Sequence, residues 1–281
     1  MSGAVPVVRS LALLRAQVAA WHATGESVAL IPTMGALHRG HLELVRLAKA
    51  RCRRAVASIF VNPTQFAPHE DFDRYPRDEA GDLAELATVE CDLVWAPDKA
   101  WMYPEGFATR IVPEGAAEGL ESESRPHFFT GVATVCCKLF TQVAPDIAVF
   151  GEKDYQQLCV VRQMVRDLDL PLDIAALPTV REPDGLALSS RNAYLSATER
   201  TVAPLLYRVI CDVARVAGRG SPAGAIAEGK ATLAAAGFAV DYLEVRDAET
   251  LRPAAADVCR PLRVLVAARL GRTRLIDNVA A

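Results

Sequence analysis

A chain of 281 residues is long enough to bury a real core and to hold two domains. Half its residues are apolar and its formal net charge is −3, an ordinary globular balance that argues against an extended basic surface for nucleic acid. No apolar run approaches the roughly eighteen residues a membrane span requires, and Arg15 and Gln17 break the Leu11–Leu14 run too soon for a secretory signal, so the expectation is a cytoplasmic chain without a membrane partner.

Short apolar runs at Val28–Ile31, Ala55–Val61, Leu93–Trp95, Asp146–Phe150 and Asp173–Leu177 alternate with helical patterns. That alternation predicts an α/β domain, a Rossmann-like doubly wound parallel sheet. The first strand leads into Pro32-Thr-Met-Gly-Ala-Leu-His-Arg-Gly-His41 and then a helix over Leu42–Arg53. Gly35 and Gly40 let the backbone turn tightly beside a ligand, and the helix N-terminus offers amides to a phosphate. His38 and His41 can then donate hydrogen bonds to charge developing on a phosphoryl group. A His-x-x-His pair is otherwise a surface feature or half a metal site. The strand–glycine–helix context, and the lack of a third ligand at suitable spacing, favour the phosphate; metal ligands are not identified.

Asn62-Pro-Thr-Gln-Phe66 lies just past the second strand and Gly151-Glu-Lys-Asp-Tyr-Gln-Gln157 just past the fourth. Ligands of open α/β sheets bind outside the carboxyl ends of strands, so these clusters and the His38–His41 loop converge on one edge. Gln65 and Gln157 offer amides to hydroxyl and carboxylate groups, and Lys153 offers a mobile point charge to phosphates. Ala67–Arg77 and Asp98–Pro126, rich in Pro, Gly and charge, are expected to be mobile, with active-site lids as one use. Gly131–Val143 carries a helical apolar stripe that reads as core packing.

The texture changes near Val180. Gly185-Leu-Ala-Leu-Ser-Ser-Arg-Asn192 by itself reads as a linker, but in this company its hydroxyls and guanidinium suit the outer phosphates of ATP. Ser196 and Glu199 form a capping box, and alanine-rich helices run to Ala236. Strands follow at Val240–Val245, Arg263–Ala268 and, after a turn at Gly271, Arg274–Ile276. The expected division is a Rossmann-like ligand-binding domain over 1–179 and a smaller α+β lid domain over 180–281. The seven cysteines are odd in number and show no Cys-x-x-Cys spacing, which predicts buried reduced thiols rather than disulfides or a zinc site.

Thr33-Met-Gly-Ala-Leu-His-Arg-Gly-His41, Phe60-Val-Asn-Pro-Thr-Gln-Phe66, Gly151–Gln157 and Leu188-Ser-Ser-Arg-Asn192 together resemble the pantothenate synthetase family, in order and spacing, over nearly the whole chain. The His-x-Gly-His element alone is shared more widely among nucleotidylyl transferases. Leu275-Ile-Asp-Asn278 also fits. The resemblance implies an ATP site lined by Met34, Gly35, Ala36, Leu37, His38, Arg39, Gly40 and His41. Gly151, Glu152, Lys153, Asp154 and Val180 would join it, with Leu188, Ser189, Ser190 and Arg191. It implies that His41 donates a proton, that Gln65 contacts both pantoate and β-alanine, and that Gln157 holds pantoate. Arg125 matches the family's Arg-Pro segment and is expected, with Gln65 and Gln157, to bind substrate. Phe128 stands where many members carry His, with His127 one step earlier, and His127 is assigned no function.

The implied reaction has two steps: pantoate attacks the α-phosphate of ATP, carried with Mg²⁺ on its phosphates, and β-alanine then displaces AMP to give pantothenate. No activated Ser or Cys is evident, so catalysis reads as positioning plus electrostatics. A homodimer is implied by resemblance. The alternative reading is a nucleotidylyl transferase acting on a phosphate ester; a non-catalytic nucleotide-binding module or truncated aminoacyl-tRNA synthetase is disfavoured by the charge and by the lack of a tRNA-binding extension.

Overall fold

The computed structural model describes residues 4–66, 72, 77–254 and 260–281. Of the expected mobile segment Ala67–Arg77 only Phe72 and Arg77 fall among them, and Cys259 lies outside. The chain divides into two compact units, Met1–Gly151 with Val160–Leu177, and Glu152–Cys159 with Pro178–Ala281.

The first unit is a six-stranded parallel sheet of β1 (Val7–Val8), β2 (Val28–Thr33), β3 (Arg54–Ile59), β4 (Leu93–Trp95), β5 (Ile147–Gly151) and β6 (Asp173–Leu177). The order is β1-β4-β3-β2-β5-β6, the doubly wound arrangement expected, with the direction of winding reversing between β2 and β5. Residues Val28 to Ile31 are fully buried, which is why these strands read as continuous apolar runs rather than alternating ones. Helices α1 (Leu11–Ala23), α2 (Arg39–Arg51), α3 (Glu79–Thr88) and α6 (Phe128–Val143) cover the sheet, α1 packing on α6 and α2 on α3. The edge strand β1 has two residues, too short to leave a sequence signal.

Asp98–Pro126 is fastened rather than loose. It contains α4 (Lys99–Met102), a 3₁₀ turn at Gly115–Ala117 and α5 (Glu121–Ser124), with Met102 and Leu120 buried. The Ile111 amide donates to Thr134 Oγ1 at 3.0 Å and the Ala116 amide to Gln163 Oε1 at 3.2 Å.

The second unit is a three-stranded antiparallel sheet, β7 (Phe238–Asp247), β8 (Leu262–Leu270) and β9 (Thr273–Ala280), with β8 central. Helices α8 (Ala197–Val202), α9 (Leu205–Ala217) and α10 (Ala223–Ala235) belong with it. Leu206, Ile210 and Val213 of α9 share a core with Leu243, Val264 and Val266. The predicted capping box is present: Ser196 Oγ accepts from the Glu199 amide at 3.3 Å, and Glu199 Oε2 from the Ser196 amide at 2.8 Å. Gly271 takes φ 56° in the tight turn between β8 and β9. A further helix, α7 (Tyr155–Asp167), starts among residues grouped with this unit. All six described cysteines carry free thiols.

Candidate functional site

Strand β2 ends at Thr33, and the loop after it is held by an aspartate that sequence patterning does not reveal. Asp82 of α3, buried at 5 % exposure, accepts the Ala36 amide at 3.0 Å and the Leu37 amide at 2.7 Å. Burial raises its carboxyl above the usual carboxylate range, against the pull of those two amides. The fit is close. Gly35 sits at φ 79°, and a Cβ there would lie 2.8 Å from Asp82 Oδ2. Gly40, expected as a second turning point, is instead an ordinary residue in the first turn of α2.

Helix α2 is capped by histidines rather than by the usual short polar residues. His38 Nδ1 accepts the Gly40 amide at 3.1 Å, and His41 Nδ1 accepts the His38 amide at 3.3 Å. The rings lie 4.1 Å apart, centre to centre. With Nδ1 an acceptor in both, each neutral ring carries its proton on Nε2. Two oriented N–H donors therefore accompany the amides of a helix N-terminus, following a strand at the topological switch point.

The turn after β3 holds Gln65 through a buried asparagine. Asn62, 1 % exposed, donates from Nδ2 to Gln65 Oε1 and to the Gly131 carbonyl, both at 3.1 Å. Its Oδ1 accepts from Tyr103 Oη at 2.8 Å and Thr64 Oγ1 at 2.9 Å. Gln65 Nε2 lies 3.1 Å from Met34 Sδ, which brings the first two predicted clusters together. Arg125 donates from Nη2 to the Gln65 carbonyl at 3.0 Å and stacks 3.8 Å over the Phe128 ring. It thus meets Gln65 through the backbone rather than the side chain. His127 sits at the start of α6 and makes no capping bond.

In the second unit, Lys153, Ser189 and Arg191 line one pocket with Asn192, Arg274 and Asp277. Three predicted phosphate-binding residues thus meet. Ser189 Oγ accepts the Arg191 amide at 3.2 Å, and the Val180 carbonyl accepts the Leu188 amide at 3.0 Å. Ser190 opens the 3₁₀ turn that follows, and Gln157 lies on the first turn of α7. Glu152, Lys153 and Asp154 form a 3₁₀ turn directly after Gly151, the end of β5. Lys153 Nζ lies 3.6 Å from Asp154 Oδ1. Asp277 makes a two-pronged pair with Arg181 at 2.7 and 2.9 Å. Asp82 and Tyr103 escape a reading of the sequence because their partners lie tens of residues away, whereas Asn62 stands in the Asn62–Phe66 cluster and only its bonds to Gly131 and Tyr103 are hidden.

A family model of Pantoate-beta-alanine ligase matches residues 6–280. A pantothenate synthetase of Bradyrhizobium sp. (strain BTAi1 / ATCC BAA-1182) is 58% identical over 282 residues, covering 100% of both chains. One from Paramagnetospirillum magneticum (strain ATCC 700264 / AMB-1) is 56% identical, covering 99% of each. The crystal structure of pantothenate synthetase from Thermus thermophilus aligns with a TM-score of 0.91 at 49% identity, over 98% of this chain and 99% of that one. A pantoate-beta-alanine ligase from Francisella tularensis, complexed with beta-gamma ATP and beta-alanine, aligns with a TM-score of 0.83 at 31% identity, over 98% and 97%.

Proposed function

The chain belongs to the pantoate–β-alanine ligase family, and from that membership we infer that it condenses pantoate with β-alanine at the expense of ATP, releasing AMP and diphosphate. The observation within the molecule that best supports this reading is the N-terminus of α2, where two histidines accept backbone amides through Nδ1, an arrangement that leaves the proton of a neutral ring on Nε2. Such an end stabilises negative charge as it develops on a transferring nucleotidyl group.

In the first step a pantoate carboxylate oxygen bonds to the α-phosphorus and the bond to the β-phosphate oxygen breaks, releasing diphosphate. In the second, the β-alanine amine bonds to the acyl carbon, the acyl–phosphate bond breaks, and AMP leaves as the nitrogen loses its proton. His41 is the donor to the phosphoryl oxygens, with His38 beside it, and Lys153 supplies a positive charge. Met34 through His41 and Gly151 in the sheet unit are proposed ATP contacts. Glu152 through Asp154, Val180 and Leu188 through Arg191 are the proposed contacts in the other unit. Gln65 and Gln157 hold the hydroxyl and carboxylate groups of pantoate, and Arg125 steadies the Gln65 turn.

ATP is taken as its magnesium complex. Mg²⁺ would be carried by the phosphates, where it would neutralise part of their charge. None of the described helices is long and apolar enough to cross a membrane. A cytoplasmic homodimer is the remaining part of the proposal, its oligomeric state checked by light scattering of the purified chain.

Exchange of labelled diphosphate into ATP is expected to require pantoate and to proceed without β-alanine, because the adenylate forms before the amine attacks. Exchange that depends on β-alanine would overturn the two-step order. A transferase acting on phosphate esters would instead form no amide.

A further inference from the structure

The reaction described above assigns no role to the Leu275–Asn278 stretch, yet Asp277 lines the pocket that holds Lys153 and Asn278 bonds to the backbone of that lysine. Asn278 is 2 % exposed, and its Nδ2 donates to two successive carbonyls, those of Glu152 and Lys153, at 2.9 Å each. Its Oδ1 accepts from Arg263 Nε at 2.7 Å. Arg263 in turn donates from Nη2 to Glu152 Oε2 at 2.9 Å and lies 4.0 Å over the Tyr155 ring. The carboxamide therefore bonds through both its oxygen and its nitrogen, and the guanidinium that orients it is clamped on both sides of the 3₁₀ turn.

We propose that Asn278, oriented by Arg263, is a positioning residue for Lys153. The inference rests on the assignment of Lys153 to phosphate. A lysine carries its charge on four rotatable carbons, so the volume its Nζ explores depends on how firmly its own backbone is held. Lys153, Ser189 and Arg191 share a pocket, and a drift of the turn carries the ammonium away from the other two groups. Misplacement by about 1 Å at a distance from the chemistry can cost on the order of a hundredfold in rate.

A double-mutant cycle on diphosphate exchange in the full chain separates this role from bulk stability. Asn278→Ala is expected to slow exchange roughly 10–100-fold. In a Lys153→Ala background the same change is expected to alter the remaining rate by less than about twofold, because the two losses share one cause. Losses that multiply would mean that Asn278 only supports the fold, and an unchanged rate in either single variant would overturn the proposal outright. If Asn278→Ala does not fold, Arg263→Lys keeps a cation for Glu152 while removing the Nε donor to Asn278. It is expected to slow exchange less, and again only when Lys153 is present. Absence of pantoate-dependent exchange in the unaltered enzyme is a separate failure, that of the parent reading, and takes the inference with it.

Discussion

His38 and His41 each have two roles, and substitution can divide them. Nδ1 of each ring closes the start of α2, and Nε2 holds the proton assigned to phosphate. Asparagine is among the best N-cap acceptors, but its short side chain withdraws the donor from the Nε2 position. His38→Asn is therefore expected to keep the thermal midpoint of the unaltered enzyme while slowing diphosphate exchange. Exchange at the normal rate would reduce His38 to a cap. His41→Ala removes donor and cap together, with an expected fall in turnover of about 10²–10³-fold and a cost of ~1 kcal/mol in stability. Turnover and a chemical denaturation curve on the same preparation check both numbers. The sequence shows the histidines but not their tautomer, which follows only from the amides that they accept.

At the scale of the element, α6 and the turn after β3 meet without room for a methyl group. A Cβ on Gly131 would lie 2.5 Å from the Thr64 carbonyl oxygen and 2.9 Å from the Gln65 amide nitrogen. Both are backbone, so neither can swing aside. Gly131→Ala is expected to cost about 1–3 kcal/mol of stability and, by displacing Gln65, to raise the KM for pantoate with little change in the ATP requirement. A normal pantoate KM would show that Gln65 is positioned independently of α6. The strands are legible because buried parallel strands are apolar runs between breakers, and each expected run overlaps one of β2 to β6. Patterning starts α2 at Leu42 rather than Arg39 because histidine is not a usual cap. It starts α6 at Gly131 rather than Phe128, since the first turn of that helix lacks a side-chain cap. Asp82 is invisible for a different reason. A carboxylate serving amides 45 and 46 residues away leaves no local spacing to read.

At the scale of the whole molecule, the chain contributes to the C-terminal unit twice, first with Glu152–Cys159 and again from Pro178 onward. A piece cut as 180–281 therefore loses partners of its own interior. Asn278 and Arg263 would be left without Glu152, Lys153 and Tyr155, and each unmet buried polar group costs about 1–3 kcal/mol. Such a piece is expected to lack the cooperative thermal transition that the full chain shows by circular dichroism; a sharp transition would mean that residues 152–159 are dispensable. The same contribution in two instalments also sets an order in which the parts of this unit are made. Lys153 leaves the ribosome 125 residues ahead of the asparagine that holds its backbone. At roughly 5–20 residues per second that is a wait of about 6–25 s. The loop that Asp82 clamps has both its partners long before then, so the histidine end of the site can be shaped while the lysine is still waiting for its support. On the proposed assignment of Lys153 to phosphate, a chain that has not yet made β9 is expected to show no diphosphate exchange, because the turn that carries this lysine still lacks its asparagine.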